Sequence, residues 1–304
     1  MQFKKAVDKI FEAFLSPKTK EAGERSILVI AIVSYLIHLA FIILSKQGIL
    51  EIDSKFFESP IAAIYTPFTF ILIYEVYLLI FFLPKSISYY IGKQYEIITL
   101  IVIRRIFKDI ASIELSSEWF HIKSDLQFTY DSITSLILFI VIFYFYRSIA
   151  KRNLDLSEEG ETNSSIGKIK RFIALKKIIA VLLVPLLVFL SFYSFYHWAV
   201  AAISDYQNGL EAFKNINHVF FDEFFTVLIV VDVLLLLASF FYTDKFHIII
   251  RNSGFIISTI LIKVSFSVDG LVNNALIIGA VIFGFLMLLI HNKFEASPLV
   301  DEKV

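Results

Sequence analysis

The chain contains no cysteine, so disulfides, thiolate metal sites and cysteine nucleophiles are all excluded. It also lacks an excess of charge of either sign, because 28 Lys and Arg residues balance 28 Asp and Glu residues. A formal net charge of zero gives no overall attraction for nucleic acid, which we do not expect as a partner. No apolar segment with a small-residue cleavage site follows the charged N-terminus, so we expect no cleaved signal peptide.

Motifs that carry common enzymatic chemistry are also missing. The sequence has no Walker A loop, no GxGxxG fingerprint, no HExxH or GxSxG motif, and no His and Asp cluster with metal-ligand spacing. The loops predicted on the more basic side are too short to hold a catalytic domain. We therefore predict that the protein is not an enzyme, and that it has no catalytic residue, no bound metal and no cofactor.

Apolar residues dominate what is present. The chain is 58% hydrophobic and 16% aromatic, with 33 Phe among 304 residues, and its mean hydropathy is +0.76. A soluble domain is closer to half apolar. The composition predicts an all-α integral membrane protein whose main partner is the lipid bilayer.

Eight segments are predicted as transmembrane helices, since a span needs about 20 mostly apolar residues. The third and seventh differ from the others because each carries basic residues inside its limits. The eight predicted spans are Ser26–Ser45, Ile61–Leu83, Gln94–Glu114, Thr129–Arg147, Ile178–Ala201, Val219–Tyr242, Ile248–Val268 and Val272–His291.

The spans fall into two groups of four. We predict an amphipathic N-terminal segment (1–25), a four-helix membrane unit (26–149), a polar cytoplasmic linker (150–177), a second four-helix membrane unit (178–292) and a short tail (293–304). The N-terminal segment places apolar residues at helical spacing between charged ones. It either lies along the membrane surface or packs on the protein itself.

Basic residues indicate the orientation of the spans. Lys and Arg are concentrated in the N-terminal segment, in the loops after the even-numbered spans and in the tail. Because loops rich in Lys and Arg stay in the cytoplasm, we predict that both termini are cytoplasmic. We place the protein in the inner (plasma) membrane, where the basic linker could bind a cytoplasmic partner and a homo-oligomer could form.

The two halves of the chain are also predicted to be an internal repeat. Glu75 aligns with Asp232 at an offset of 157 residues, and in the next helix Arg104 aligns with Lys263 at an offset of 159. These matches between charges of like sign carry the inference, because apolar helices align easily by chance. Two units of four spans run in the same direction and would be related by an axis along the membrane normal.

The fourth and eighth spans add a further match. Both contain the triplet VIF, at Val141–Phe143 and Val281–Phe283, and Phe145 aligns with Phe285. These residues lie 140 positions apart in the sequence.

Two acids lie near the middle of predicted spans, where a charge costs roughly 2.5–3.5 kcal/mol on insertion scales. We predict ion pairs of Glu75 with Arg104 and of Asp232 with Lys263, because the bases recur in the adjacent helix of each half. Such pairs could line an ion or proton path, or they could fix helix order. An aspartyl-protease dyad of the two acids is conceivable, but no motif supports it.

Several polar residues extend this set of candidates. Asp131 opens the fourth span and is a candidate partner for Arg105 or Lys108, while Asn273 and Asn274 occupy a similar place in the eighth. Voltage sensing is disfavoured because it needs several arginines on one helix.

His38 and His197 are a second repeated polar pair. Two intramembrane histidines could bind a haem iron, although a lone His is more often a hydrogen-bonding contact between helices. No Gly-rich helix or second His pair supports a haem.

The segment Tyr74–Ile110 resembles the four-helix phosphate-starvation-inducible (PsiE-like) family of bacterial membrane proteins. The likeness consists of an acid in the second helix, a polar hairpin, and an apolar helix with Arg toward its end. Val231–Phe266 repeats the pattern more faintly. The resemblance implies a helical bundle, here in tandem duplicate, and implies no biochemical activity.

Two functions are compatible with these features. The first is a channel-like or transporter-like protein for protons or small ions, with the acids and bases between helices lining the path. The second is a non-conducting membrane scaffold or sensor in which the charge pairs only stabilise the bundle.

Overall fold

A computed structural model describes residues 2–49, 60, 62–110, 123–158, 163–204, 209–242 and 245–297. Across these residues the regular secondary structure is helical, and no strand occurs among them. A short 3-10 helix covers Ala62–Ile64. The α-helices are α1 (Gln2–Phe14), α2 (Pro17–Lys46), α3 (Tyr65–Phe82), α4 (Ile87–Ile110), α5 (Lys123–Glu158), α6 (Asn163–Ser204), α7 (Gly209–Phe240), α8 (Phe246–Ser265) and α9 (Gly270–Glu295).

Six helices within the described residues are long and apolar enough to cross a membrane, as expected for a multi-pass helical membrane protein. Their apolar windows have mean hydropathies between 1.5 and 2.9. The six stretches are Val7–Lys46, Asp125–Lys151, Arg171–Leu190, Glu223–Phe240, Phe246–Ser265 and Gly270–Glu295.

Many large apolar side chains on these helices are exposed. Phe139 of α5 is 72% exposed, and Phe192 of α6 is 70% exposed. Leaving such side chains in water would forfeit about 25 cal/mol for every Å² of apolar surface. Lipid chains solvate the same surface without that loss, so the exposed faces of these helices are suited to a bilayer.

Each predicted span overlaps a helix, but the second and third spans differ from the other six. The apolar part of α3, Thr66–Phe82, is shorter than a full span. Helix α4 carries Lys93, Glu96, Arg104 and Arg105 along its length, which lowers its mean hydropathy. Within the described residues, length and composition identify six helices that could span a membrane, and the count of eight spans stays a prediction.

The N-terminal helix is attached to α3 at its C-terminal end. The Tyr77 hydroxyl donates a hydrogen bond to the Phe14 carbonyl over 2.8 Å, and the Tyr74 hydroxyl donates to the Lys20 carbonyl over 3.1 Å. Ser16 caps α2 by accepting from the Thr19 backbone N–H. At its C-terminal end, the amphipathic segment therefore packs on the protein.

The described residues form two compact units. Unit 1 comprises Met1–Phe81, Leu100–Ser132 and Val181–Phe224, whereas unit 2 comprises Phe82–Thr99, Ile133–Ala180 and Phe225–Val304. Each unit takes segments from both predicted halves of the chain. Helix α5 continues to Glu158 and α6 begins at Asn163, so much of the predicted linker (150–177) is helical.

Aromatic side chains form the centre of unit 2. The Phe145 ring of α5 lies 5.3 Å from the Tyr95 ring of α4, 6.1 Å from Phe255 of α8 and 6.5 Å from Phe285 of α9, between ring centroids. All four helices therefore meet around one residue. Aromatic pairs at these separations contribute about 0.5–1.5 kcal/mol each beyond the area they bury.

Glycine allows the closest of these approaches. A Cβ atom built on Gly284 would lie 1.8 Å from the Tyr95 hydroxyl oxygen and 3.2 Å from Ser258 Oγ. The Tyr95 hydroxyl donates to Ser258 Oγ over 2.8 Å, and Ser258 donates in turn to the Ala280 carbonyl over 2.7 Å. The hydrogen-bonded chain between α4, α8 and α9 thus depends on the absence of a side chain at Gly284.

Replacing Gly284 by Ala should lower the unfolding temperature in detergent, because the new methyl group would overlap the Tyr95 hydroxyl. Overpacking of this kind costs roughly 1–3 kcal/mol. Gly279 of the same helix is the matched control, since a Cβ there would meet nothing within 4 Å. Adding Tyr95→Phe to the Gly284→Ala variant should recover part of the loss. Equal unfolding temperatures for the Gly284→Ala and Gly279→Ala variants would contradict the packing described.

Candidate functional site

Asp232 lies within the apolar stretch of α7 and is only 4% exposed. The side-chain amide of Gln94 in α4 donates a hydrogen bond from Nε2 to Asp232 Oδ2 over 3.0 Å. Thr259 of α8 places Oγ1 2.8 Å from Gln94 Oε1, and the same oxygen lies 3.1 Å from the Phe255 carbonyl. Three helices of unit 2 thus each supply one member of a buried polar row.

A cavity of about 20 Å³ adjoins the Asp232 carboxylate. That volume is enough for one water molecule. Its polar lining comes from Asp232, Tyr90, Lys176 and Asn252, and its remaining lining is apolar. The Tyr90 hydroxyl is buried beside the Asp232 carboxylate and the Gln94 amide.

Lys176 brings a cation to the same cavity from α6. Its side chain is 3% exposed, and Nζ donates to the Lys85 backbone carbonyl over 2.9 Å. The ring of Phe172 lies below the ammonium at 5.1 Å to its centroid. A buried ammonium is costly unless it is hydrogen-bonded or paired, so the carbonyl, the ring and the nearby acid together explain why it can be accommodated.

Helix α8 turns a polar face toward the interior of unit 2. The first and last of the buried polar side chains in its first four turns are twelve positions apart, or about 18 Å along the helix axis. This face is unusual for an apolar helix, whose polar residues are expensive inside a membrane and commonly functional. The five residues are His247, Arg251, Asn252, Ser258 and Thr259.

A second buried cluster joins α8 to α9. Arg251 donates from Nη2 to Asn252 Oδ1 over 3.0 Å, and its Nη1 lies 2.7 Å from His291 Nε2. Because a guanidinium can only donate, His291 Nε2 must accept, and its proton resides on Nδ1. His291 Nδ1 lies 3.0 Å from His247 Nδ1, which adds a second contact between α8 and α9. Glu295 lies 3.6 Å from His291 at the partly exposed end of the cluster.

The structure does not form the predicted ion pair of Asp232 with Lys263. The carboxylate of Asp232 is held by Gln94 instead, and Lys263 lies half-buried in the last turn of α8. About three turns of α8 separate Lys263 from Asn252, which lines the cavity beside Asp232. The repeat alignment identifies an acid and a base in neighbouring helices of each half. It does not say how deep in the membrane either side chain lies.

Arg105 and Asp131 form an ion pair in unit 1. This is one of the two pairings predicted for Asp131 from the sequence. Arg105 Nη2 lies 2.9 Å from Asp131 Oδ1, and the carboxyl group is fully buried. Gln127 donates to the same oxygen over 2.9 Å. Of the other predicted pair in unit 1, Arg104 is buried and Glu75 is half-buried, and their pairing stays a prediction.

The remaining candidates act as contacts between helices or lie outside the described side chains. His38 Nδ1 lies 2.6 Å from Thr66 Oγ1, which joins α2 to α3. Asn273 donates to the Ser265 carbonyl over 2.5 Å, and Asn274 donates to Thr134 Oγ1 over 2.9 Å.

The His197 side chain lies outside the described residues, although its backbone belongs to α6. The suggestion of a haem between His38 and His197 therefore stays untested. Among the described residues, no group of three or more His, Asp or Glu side chains could hold a metal ion.

Sequence reasoning missed the groups that surround Asp232, namely Gln94, Tyr90, Lys176 and Thr259. One signal was available in α8, where Arg251, Asn252 and Thr259 recur at helical spacing in an apolar segment. Gln94 and Lys176 carried no such signal, because each stands at the edge of an apolar run and resembles an interfacial residue.

Comparison with known protein families, characterised proteins and solved structures finds no match to this chain. The function of the protein therefore has to be inferred from the chemistry of its own buried groups.

Replacing Asp131 by Asn should lower the unfolding free energy by roughly 1.5–3 kcal/mol, the range for a hydrogen bond to a charged group. The Arg105 guanidinium would keep an acceptor at position 131 but lose the negative charge of that partner. Asp269, an exposed carboxylate, is the matched control for the same chemical change. Equal denaturation midpoints for the Asp131→Asn and Asp269→Asn variants in detergent would show that the pair adds nothing to stability.

Proposed function

We propose that the protein conducts protons or small cations across the inner (plasma) membrane, with Asp232 as the acid that binds the ion. The observation that carries this proposal is the position of Asp232. Its carboxylate is buried at a water-sized cavity beside Lys176, and no ion pair with Lys263 seals it. An acid that only held helices together would gain nothing from a neighbouring cavity.

The polar face of α8 supports a path that leads away from the cavity. Asn252 lines the cavity and accepts from Arg251, which contacts His291, and His291 lies near the partly exposed Glu295. Thr259 extends the polar row in the other direction through Gln94. The polar groups on α8 cover about 18 Å, which is more than half of a hydrocarbon core of about 30 Å.

The proposed topology has eight spans in two parallel four-helix halves, residues 26–149 and 178–292. These halves are not the two compact units described above. Helix α3 is the short span and α4 is the more charged one. Contacts between α5 and α9 support the duplication. The Phe145 and Phe285 rings meet, and Thr134 accepts from Asn274. Both pairs are 140 residues apart, the offset at which VIF repeats in the sequence. Equivalent residues meet in this way where two parallel helices lie on either side of a two-fold axis.

A non-conducting scaffold or sensor is the second candidate. The ion pair of Arg105 with Asp131 favours it, because the Asp131 carboxylate is fully buried and is held by both Arg105 and Gln127. Under this alternative, Gln94 and Thr259 would only satisfy a buried acid that keeps α4, α7 and α8 in register. Polar contacts between membrane helices contribute about 0.6 kcal/mol on average, so many such contacts are needed to organise a bundle.

The Asp232→Asn variant should lose proton flux by at least about tenfold when the protein is reconstituted in liposomes. The measurement follows an internal pH-sensitive dye while potassium and valinomycin balance the charge. Loss of flux is expected because the amide cannot take up a proton near neutral pH, whereas it keeps the shape of the acid. Asp269→Asn removes an exposed carboxylate and should conduct like the wild type.

Two results would decide against conduction. Wild-type protein that carries no current of protons or cations would favour the scaffold, as would an Asp232→Asn variant with unchanged flux. If the acid is structural only, the substitution should instead lower the unfolding temperature in detergent. Measuring both properties on the same preparations separates the two functions.

A further inference from the structure

The side-chain amide of Gln94 lies between two groups that can each reverse their hydrogen-bonding role. On one side is the Asp232 carboxyl, which only accepts when charged but can also donate when protonated. On the other side is the Thr259 hydroxyl, which has one proton and two acceptor positions. An amide offers donors at its nitrogen and an acceptor at its oxygen. Which of the two ends faces Asp232 therefore depends on the hydrogen-bonding roles of both neighbours.

With Asp232 charged, the observed distances define one pattern. Gln94 Nε2 donates to Asp232 Oδ2 over 3.0 Å, and Thr259 donates to Gln94 Oε1 over 2.8 Å. The Phe255 carbonyl, 3.1 Å from Thr259 Oγ1, is then left with its helical hydrogen bond alone. Every proton in the row points toward the carboxylate.

With Asp232 protonated on the oxygen that faces Gln94, a second pattern satisfies the same atoms. The carboxylic acid donates to Gln94 Oε1 after the amide turns by half a rotation. Gln94 Nε2 then donates to Thr259 Oγ1, and Thr259 turns its own proton to the Phe255 carbonyl, which is already within reach. No buried donor or acceptor of the row is lost in either charge state.

The site is poorly suited to a metal cation. Magnesium and calcium need six or more oxygen ligands in most sites, and their favoured ligands are carboxylates, carbonyls and water. Here one carboxylate, one tyrosine hydroxyl and one asparagine line a cavity that holds about one water molecule. Lys176 adds a positive charge to the same cavity, which opposes the entry of another cation.

We infer that the Asp232 site binds a proton and excludes metal cations, and that the Gln94 amide reverses its direction each time Asp232 gains or loses that proton. This inference rests on the proposed conduction and names the ion that is carried. A hydronium ion that reaches the cavity donates the proton, so one O–H bond breaks in hydronium, one forms on the Asp232 carboxylate, and a water molecule is left. Within the row no other covalent bond changes, and the Thr259 proton is turned rather than transferred.

Gln94 is a positioning residue in this scheme, and Thr259 is the residue that makes its reversal possible. A Val side chain at position 259 has nearly the shape of Thr but has no hydroxyl, so the reversed amide would lose its acceptor. A Ser side chain keeps the hydroxyl. Thr259→Val should therefore reduce proton flux by about tenfold or more, while Thr259→Ser should stay within about twofold of wild type.

Infrared difference spectra of the wild-type protein between acidic and alkaline pH test the reversal itself. We expect the Gln94 amide carbonyl band, identified by its loss in Gln94→Met, to shift together with the carboxylic-acid band of Asp232. Both changes should vanish in Asp232→Asn. An Asp232 band that titrates while the amide band stays still would overturn the reversal, because protonation would then occur on the other carboxyl oxygen.

Flux measurements separate this inference from the proposed function. If Asp232→Asn abolishes proton flux and Thr259→Val conducts normally while remaining folded, conduction stands and the amide reversal is wrong. If the wild type conducts nothing, the proposed function fails, and the infrared spectra still decide the reversal. Sodium uptake by the liposomes, or proton flux that falls as sodium is added, would overturn the exclusion of metal cations.

Discussion

Burial of the Asp232 carboxylate is the constraint on which the arrangement of unit 2 depends. The side chain is too short to reach a membrane surface, so the protein has to supply its hydrogen bonds inside the bundle. Gln94 supplies one from α4, and Thr259 of α8 fixes the direction of that amide. Lys176 and Tyr90 complete the surroundings across a cavity of about one water molecule. Four helices thus contribute to the surroundings of one acid.

Helix α8 has the opposite pattern to a helix of a soluble protein. Its polar residues face the interior, and apolar residues such as Ile257 and Val264 are exposed. A bilayer produces this pattern because lipid solvates apolar side chains and offers nothing to polar ones. The interior of unit 2 therefore contains hydrogen-bonded groups as well as aromatic rings, and it needs glycine at Gly284 to let Tyr95 reach Ser258. In unit 2, the buried polar groups can form their hydrogen bonds only because the helices pack closely.

The predicted ion pairs show where reasoning from sequence was sufficient and where it was not. Asp131 was recognised as a candidate partner for Arg105 or Lys108 because it opens the fourth span, and in the structure it contacts Arg105. Asp232 was recognised as an intramembrane acid, but its partner was expected to be Lys263 from the repeat. The true contact is Gln94, a neutral residue 138 positions away. Charge alone suggested a salt bridge, whereas the structure satisfies this acid with an amide and a nearby buried ammonium.

The sequence by itself determined the membrane class, the helical content and the presence of costly acids within apolar segments. These follow from composition and from runs of about 20 apolar residues, which are local properties of the chain. Only the tertiary structure decided which groups surround Asp232, which face of α8 is buried, and that a cavity lies beside the acid. Each of these depends on the rotation and depth of several helices at once. Apolar segments specify such quantities weakly, because most of their faces can pack equally well against lipid or against another helix.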